Sequence, residues 1–151
     1  MKGRRRFLVR LSCALALPAA VTGRVQAQQV RVIEPLVRAI TQGAPVRAGR
    51  VKIDLPQLAD NGNAVPLVVT VASPMSATDY VSSVHLISNR NPVAEMATFY
   101  LGPRAGLAQV ETRVRLAGSQ TVTAIAALSD GSFWMDSASV VVTLSACVDE
   151  G

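Results

Sequence analysis

Residues 109–116 read QVETRVRL, and in this stretch apolar and polar side chains alternate except at Thr112. The even-numbered residues Val110, Thr112, Val114 and Leu116 make one largely apolar side of an extended chain. The odd-numbered residues between them are polar or charged and face the other way. This period of two predicts a β-strand with one face on a core and the other in water.

Six further segments with strand character surround this stretch, separated by turn sequences rich in Gly, Pro, Asn and Asp. The seven predicted strands cover residues 51–55, 65–72, 80–88, 95–101, 109–116, 121–128 and 133–144. Residues 60–63, DNGN, are predicted to form a turn. The near-continuous apolar run 65–72 predicts a strand that is buried on both faces or covered by a partner. The pattern predicts an all-β, immunoglobulin-like antiparallel β-sandwich, with a small barrel as the alternative.

A short helix is predicted before the strands, from about residue 34 to residue 42. Pro35 suits its first turn and Gly43 its end. An apolar stripe recurs at helical spacing in Val32, Ile33, Leu36, Val37 and Ile40. We expect this stripe to pack on a sheet or on a partner.

The first 27 residues have the organisation of an export signal. They hold six of the 15 basic residues and no acidic residue. The basic segment RRRFL at 4–8 precedes a short apolar run at 11–21 and a small-residue cleavage site at 25–27. Paired arginines followed by Phe-Leu predict a twin-arginine signal peptide over residues 1–27, with an ordinary secretory signal as the alternative. Cys13 lies at the start of the apolar run, which does not fit a lipoprotein cysteine.

The rest of the chain, residues 28–151, has 9 basic and all 10 acidic residues. The high isoelectric point therefore belongs to the N-terminus and does not indicate nucleic-acid binding. A chain with 50% hydrophobic and 17% charged residues is not of the disordered class. One His and two Cys exclude a zinc-finger array and a disulfide framework.

Few side chains suggest catalysis or metal binding. His85 is the only histidine, and within a strand we expect it to be either a surface residue or one whose hydrogen bonds are satisfied. Together with Met75, Met96 and Met135 it has the ligand types of a periplasmic copper site, although the spacing does not bring them together. The sequence predicts no catalytic residue, no cofactor and no metal site.

Three arginines offer a further alternative. Arg104, Arg113 and Arg115 could form an anion-binding patch, but two arginines on one side of a strand more often form a solvated face.

Cys147 lies in the last segment, SACVDEG at residues 145–151, after the final predicted strand. Chain ends fray unless they are tied down, so we expect its thiol to be reachable. A thiolate there is a nucleophile that another protein can approach. The alternatives are a thiol packed against the last strand and an intermolecular disulfide.

Several stretches together resemble SoxY, the sulfur-carrier subunit of the periplasmic thiosulfate-oxidising Sox system. They occur in order as IDLP 53–56, DNGNAVP 60–66, SPMSATDYV 73–81, NPVAE 91–95, TRVRLA 112–117 and AALSDGS 126–132. The predicted twin-arginine signal is also similar to that of the family.

The resemblance implies an immunoglobulin-like sandwich over residues 28–144 that pairs with a SoxZ-like subunit. It implies a flexible C-terminal carrier arm, residues 145–151, and covalent attachment of thiosulfate-derived sulfur at Cys147. It also implies transient visits to periplasmic Sox enzymes, no contact with a membrane after signal cleavage, and a carrier rather than an enzyme.

The arm departs from the family pattern, which ends Gly-Gly-Cys-Gly-Gly. Here Val148 stiffens the chain, and Asp149 and Glu150 place negative charge beside the sulfur. Besides a sulfur carrier, two hypotheses remain open: a SoxY-like paralogue that serves as a structural or binding module, and a periplasmic copper-binding sandwich.

Overall fold

The structure is a computed structural model that describes the backbone of residues 24–144 and the side chains from Ile33 onward. Most of the predicted signal peptide and all of the predicted arm lie outside these residues. Helix α1, Arg24–Thr41, comes first. The strands are β1 Val46–Arg47, β2 Val51–Asp54, β3 Leu58–Asn61, β4 Val65–Val71, β5 Val81–Ser88, β6 Glu95–Tyr100, β7 Gln109–Val114, β8 Gln120–Leu128 and β9 Phe133–Leu144. A 3-10 turn, Pro103–Ala105, connects β6 to β7.

The strands form two sheets. The larger has the order β1-β9-β8-β5-β6, with β3 also paired to β9, and the smaller has the order β2-β4-β7. Most pairs are antiparallel, but the short strands β1 and β3 both run parallel to β9. Two separate sheets enclosing one core make an immunoglobulin-like sandwich rather than a barrel, which confirms the predicted fold class.

The core lies between the sheets and is built by alternate residues of each strand. On β4 the side chains of Val65, Leu67 and Val69 are each 1% exposed, whereas Pro66 and Thr70 point outward and are exposed. Of the two alternatives predicted for residues 65–72, burial on both faces does not occur within the described chain, because β4 has one buried face. Cover by a partner stays a prediction. The alternation predicted for residues 109–116 is confirmed.

One long side of the sandwich is closed by contacts between the sheets. The carboxylate of Asp136 on β9 accepts a hydrogen bond of 3.1 Å from the main-chain N–H of Ile53 on β2. Nearby, the guanidinium groups of Arg50 and Arg47 lie 5.1 and 5.8 Å from the ring centre of Trp134. On the opposite side, the edge strands are β6 of the large sheet and β7 of the small sheet.

The helix is longer than predicted, because it begins at Arg24 and contains Pro35 rather than starting near it. A proline removes one main-chain hydrogen bond and bends a helix, but it does not prevent helix upstream. The predicted end is confirmed: Gly43 has φ 80° and donates its N–H to the carbonyl of Arg38. Ile33, Leu36, Val37 and Ile40 form a half-buried stripe. Within the described residues no helix is both long and apolar enough to span a bilayer.

Two short strands were not predicted. β1 and β3 have two and four residues, and each pairs with β9. The predicted turn at residues 60–63 is correct only for its second half, since Asp60 and Asn61 belong to β3. The turn itself is closed by the N–H of Asn63, which donates to the side-chain oxygen of Asn61.

Candidate functional site

The end of β9 is the root of the predicted arm and is held firmly. The carbonyl of Leu144 accepts a 2.7 Å hydrogen bond from the N–H of Gly62, whose own carbonyl accepts one of 2.8 Å from Leu116. The hydroxyl of Thr143 donates to the carbonyl of Asp60 at 2.7 Å. Cys147 follows three residues after Leu144 and lies outside the described residues, so its predicted exposure stays a prediction.

A groove opens on the side of the sandwich where β6 and β7 are edge strands. It has a volume of about 400 Å³ and is lined by residues of the β5–β6 connection, β6 and β7. Val93, Met96 and Val114 contribute apolar surface, and Arg113, Arg115 and Glu95 contribute charge. The sequence did not indicate this groove, although the alternation in residues 109–116 predicted both arginines on one side of a strand.

One end of the groove is fixed by Asn91. Its side-chain NH₂ donates to the carbonyl of Arg115 at 2.8 Å, and its side-chain oxygen accepts the N–H of Ala117 at 2.9 Å. The buried Gln120 donates to the same oxygen at 3.0 Å, and the hydroxyl of Ser88 donates to Gln120. This network ties the β5–β6 connection to the segment that follows β7, and it gives a structural reason for the NPVAE stretch.

Two of the three candidate arginines come together in the groove. Arg113 and Arg115 line it, whereas Arg104 lies on the 3-10 turn between β6 and β7, near the opposite end of these strands. Both groove arginines are exposed, and within residues 33–144 no carboxylate lies within 4.0 Å of either guanidinium. The groove therefore has a cationic rim.

His85 is hydrogen-bonded through both ring nitrogens, as predicted for a strand histidine. Nε2 lies 3.1 Å from the hydroxyl of Ser83, and Nδ1 lies 3.1 Å from both Glu95 Oε1 and Thr98 Oγ1. The hydrogen bonds from His85 and then Thr98 lower the pKa of Glu95 below its ordinary value. This cluster joins β5 to β6.

The candidate copper ligands are not brought together. Met75 is buried in the core, where its sulfur accepts the N–H of Val81 at 3.4 Å. Met135 and His85 share the outer face of the large sheet, but Ile125 lies between them in register, so they are about 10 Å apart. Met96 lies at the groove. No group of three or more His, Cys, Asp or Glu side chains suited to a metal occurs among the described residues.

Solved structures share this fold. The sulfur carrier protein SoxY from Chlorobium limicola f thiosulfatophilum has a TM-score of 0.66 at 20% identity, over 78% of this chain and 96% of that chain. Superoxide reductase (neelaredoxin) from Ignicoccus hospitalis has a TM-score of 0.55 at 17% identity, over 62% and 80% of the two chains. Superoxide reductase from Nanoarchaeum equitans has a TM-score of 0.54 at 11% identity, over 64% and 100%. At these identities the likeness establishes the fold alone.

No curated protein matches the chain. The family model described as sulfur oxidation protein SoxY matches residues 37–147, which is well over half of the sequence. The match begins inside α1, runs through all nine strands and ends on Cys147. The chain therefore belongs to the SoxY family of sulfur oxidation proteins.

Proposed function

We propose that this chain is a covalent carrier of sulfur and that Cys147 is its attachment point. The observation that carries the proposal is the family match, which extends through the whole sandwich and includes this cysteine. Cys147 follows Leu144 by three residues, which span at most about 10 Å when extended. A thiol on such a segment can be presented to the active sites of several partner enzymes while the sandwich stays outside.

Loading is an oxidation. The thiol of Cys147 loses its proton, and the thiolate forms a bond to the outer sulfur of thiosulfate. Two electrons pass to an oxidised haem-bearing partner enzyme, and the product is a cysteine S-thiosulfonate. Water then attacks the sulfonate sulfur in a second enzyme, so that sulfate leaves and Cys147 keeps one sulfur as a persulfide. The carrier supplies the sulfur nucleophile, and its partners supply the catalysis.

The proposal includes the compartment and the partners. The predicted twin-arginine signal would deliver the folded chain to the periplasm, where the Sox enzymes of the family act. A SoxZ-like subunit is the proposed stable partner. The exposed face of β4, with Pro66, Val68 and Thr70, and the stripe of α1 are candidate contact surfaces for it.

Mass spectrometry tests the carrier role. The protein is incubated with thiosulfate and an oxidised haem-bearing partner, and the peptide that contains Cys147 is expected to gain one thiosulfate-derived unit. The variant Cys147→Ser should gain nothing, while Cys13→Ser should load like the original chain. An unmodified Cys147, or equal loading of the Cys147→Ser variant, would rule out the proposal.

The second candidate is a SoxY-like paralogue that binds a SoxZ-like chain and carries nothing. The observation that favours it is the arm itself, because Val148 and Asp149 replace the two flexible, uncharged glycines that follow the cysteine in the family pattern, and Glu150 comes next. Two carboxylates near the thiol repel an anionic substrate. Complementation of a carrier-deletion strain separates the two candidates, since only a functional carrier restores growth on thiosulfate.

A further inference from the structure

Two exposed arginines, Arg113 and Arg115, give the β6–β7 groove a cationic rim that can attract an anionic group. Arg113 is in β7 and Arg115 directly follows its last residue, Val114; both side chains are exposed and line the groove. Within the described residues both guanidiniums are without a carboxylate partner. The surface beside them has the apolar side chains of Val93 and Met96 and one carboxylate, that of Glu95, which is hydrogen-bonded to His85 and Thr98. A peptide segment that combines an apolar side chain with two or more negative charges is complementary to this groove.

The end of β9 lies near this groove. Gly62 bridges Leu144 and Leu116 through two main-chain hydrogen bonds, so these residues are about two strand spacings, or about 10 Å, apart. Leu116 directly follows Arg115. Asp149 and Glu150 follow Leu144 by five and six residues, which span up to about 17 and 20 Å when extended, so their carboxylates can reach both arginines.

The last residues of the sequence combine an apolar side chain with acidic side chains, which is the combination that complements the groove. Val148 is apolar and β-branched, and Asp149 and Glu150 are two negative charges. These are the residues by which the arm departs from the glycine pattern of its family. If the carboxylates of Asp149 and Glu150 pair with arginines, they repel an anionic substrate less strongly.

We propose that residues 148–151 dock in the β6–β7 groove of the same chain, with their carboxylates on Arg113 and Arg115. Docking holds Cys147 against the sandwich, and undocking releases it. This inference rests on the proposed carrier function, because docking would control when Cys147 is available to partner enzymes. Exposed ion pairs are weak, so docking remains reversible and weakens as salt rises.

The experiment follows the mobility of the tail directly. A nitroxide label is attached to Cys147 in a Cys13→Ser chain, and its electron paramagnetic resonance spectrum is recorded at low protein concentration. At low salt we expect a slow component from docked tails. This component should fall at least about threefold between 20 and 500 mM NaCl.

A charge swap gives the decisive comparison. Arg113→Glu with Arg115→Glu, and separately Asp149→Lys with Glu150→Lys, should each abolish the slow component. The two sets combined should restore it, because the ion pairs are then reversed rather than lost. Arg104→Glu with Lys52→Glu is the matched control, since it makes the same charge change at exposed positions outside the groove and should have no effect.

Three outcomes overturn the proposal: a uniformly mobile label at low salt, a slow component that the reversals leave unchanged, and a slow component that grows with protein concentration. The last would mean that the tail docks on a second copy. The measurement uses neither thiosulfate nor partner enzymes, so its failure is distinct from failure of the carrier role. A chain that loads sulfur but has a freely moving label would retain the proposed function and lose the docking.

Discussion

The main-chain N–H of Gly62 donates a 2.7 Å hydrogen bond to the carbonyl oxygen of Leu144, and this bond joins the turn after β3 to the last residue of β9. The anchored part of the chain therefore extends to Leu144. We expect changes after this residue to have little effect on the stability of the sandwich.

Removal of residues 145–151 tests this division. The buried core of the described chain lies between Val51 and Val142, so the truncated chain is expected to melt within about 3 °C of the full chain. A truncation that begins at Val140 removes two buried valines and the pairing with β3, and should melt far lower. A large loss on removing only residues 145–151 would mean that the tail belongs to the core.

Asn91 is expected to stabilise the fold by linking the β5–β6 connection to the segment after β7. Asn91→Asp keeps the oxygen that accepts from Ala117 but loses the NH₂ group that donates to Arg115. We expect it to lower the free energy of unfolding by about 1–3 kcal/mol in urea denaturation. Asn63→Asp, in the exposed turn after β3, is the matched control and should change it by less than about 0.5 kcal/mol. Equal effects of both changes would contradict this role.

Glu95 is expected to make stability depend on pH at the acid end. Its pKa in the folded chain lies below the ordinary value of 4.5, chiefly because of the hydrogen bond with His85. The ionised form therefore stabilises the fold above about pH 4.5, and this contribution is lost as pH falls through the lowered pKa. Glu95→Gln should cost less than about 1 kcal/mol at pH 6, because the side chain is partly exposed, and nothing at the lowest pH.

The check for Glu95 is urea denaturation of both chains at several pH values between 6 and 2.5. The exposed Glu111, changed to Gln in the same way, serves as the control for a general loss of charge. A difference between Glu95→Gln and the original chain that stays constant with pH would contradict the prediction.

Asp136 is expected to stabilise the closed side of the sandwich. Its carboxylate accepts from Ile53 across the two sheets and from the N–H of Ser137 in its own strand. Asp136→Ala should therefore lower the free energy of unfolding by about 1–2 kcal/mol. Asp54→Ala, on the exposed face of β2, should have a much smaller effect. The prediction fails if the two variants unfold at the same denaturant concentration.

Much of the fold could be predicted because period-two patterns persist over whole strands. β4, β5, β8 and β9 lie within about one residue of the predicted bounds, since each has seven or more residues with buried apolar positions. β1 and β3 are too short to have such a pattern, and they exist because β9 offers them a free edge. Their pairing depends on the folded arrangement and not on local sequence.

The candidate site was partly predictable. A histidine satisfied by neighbours was expected, and the hairpin register that places His85 opposite Thr98 could have identified one partner from sequence. The groove could not be found in this way, because it depends on how the edges of two sheets diverge. The alternation in residues 109–116 predicted that Arg113 and Arg115 share one side of a strand, but only the folded chain places them next to Val93 and Met96.

The length and pairing of β9 have a mechanical consequence. This strand has 12 residues and is hydrogen-bonded on both edges, to β8 along one and to β1 and β3 along the other. A pull on the carboxyl terminus acts along these ladders, so that many hydrogen bonds are loaded in shear at once instead of opening one after another. An enzyme that pulls on the segment after Leu144 would therefore have to apply a large force before β9 separates from the sheet.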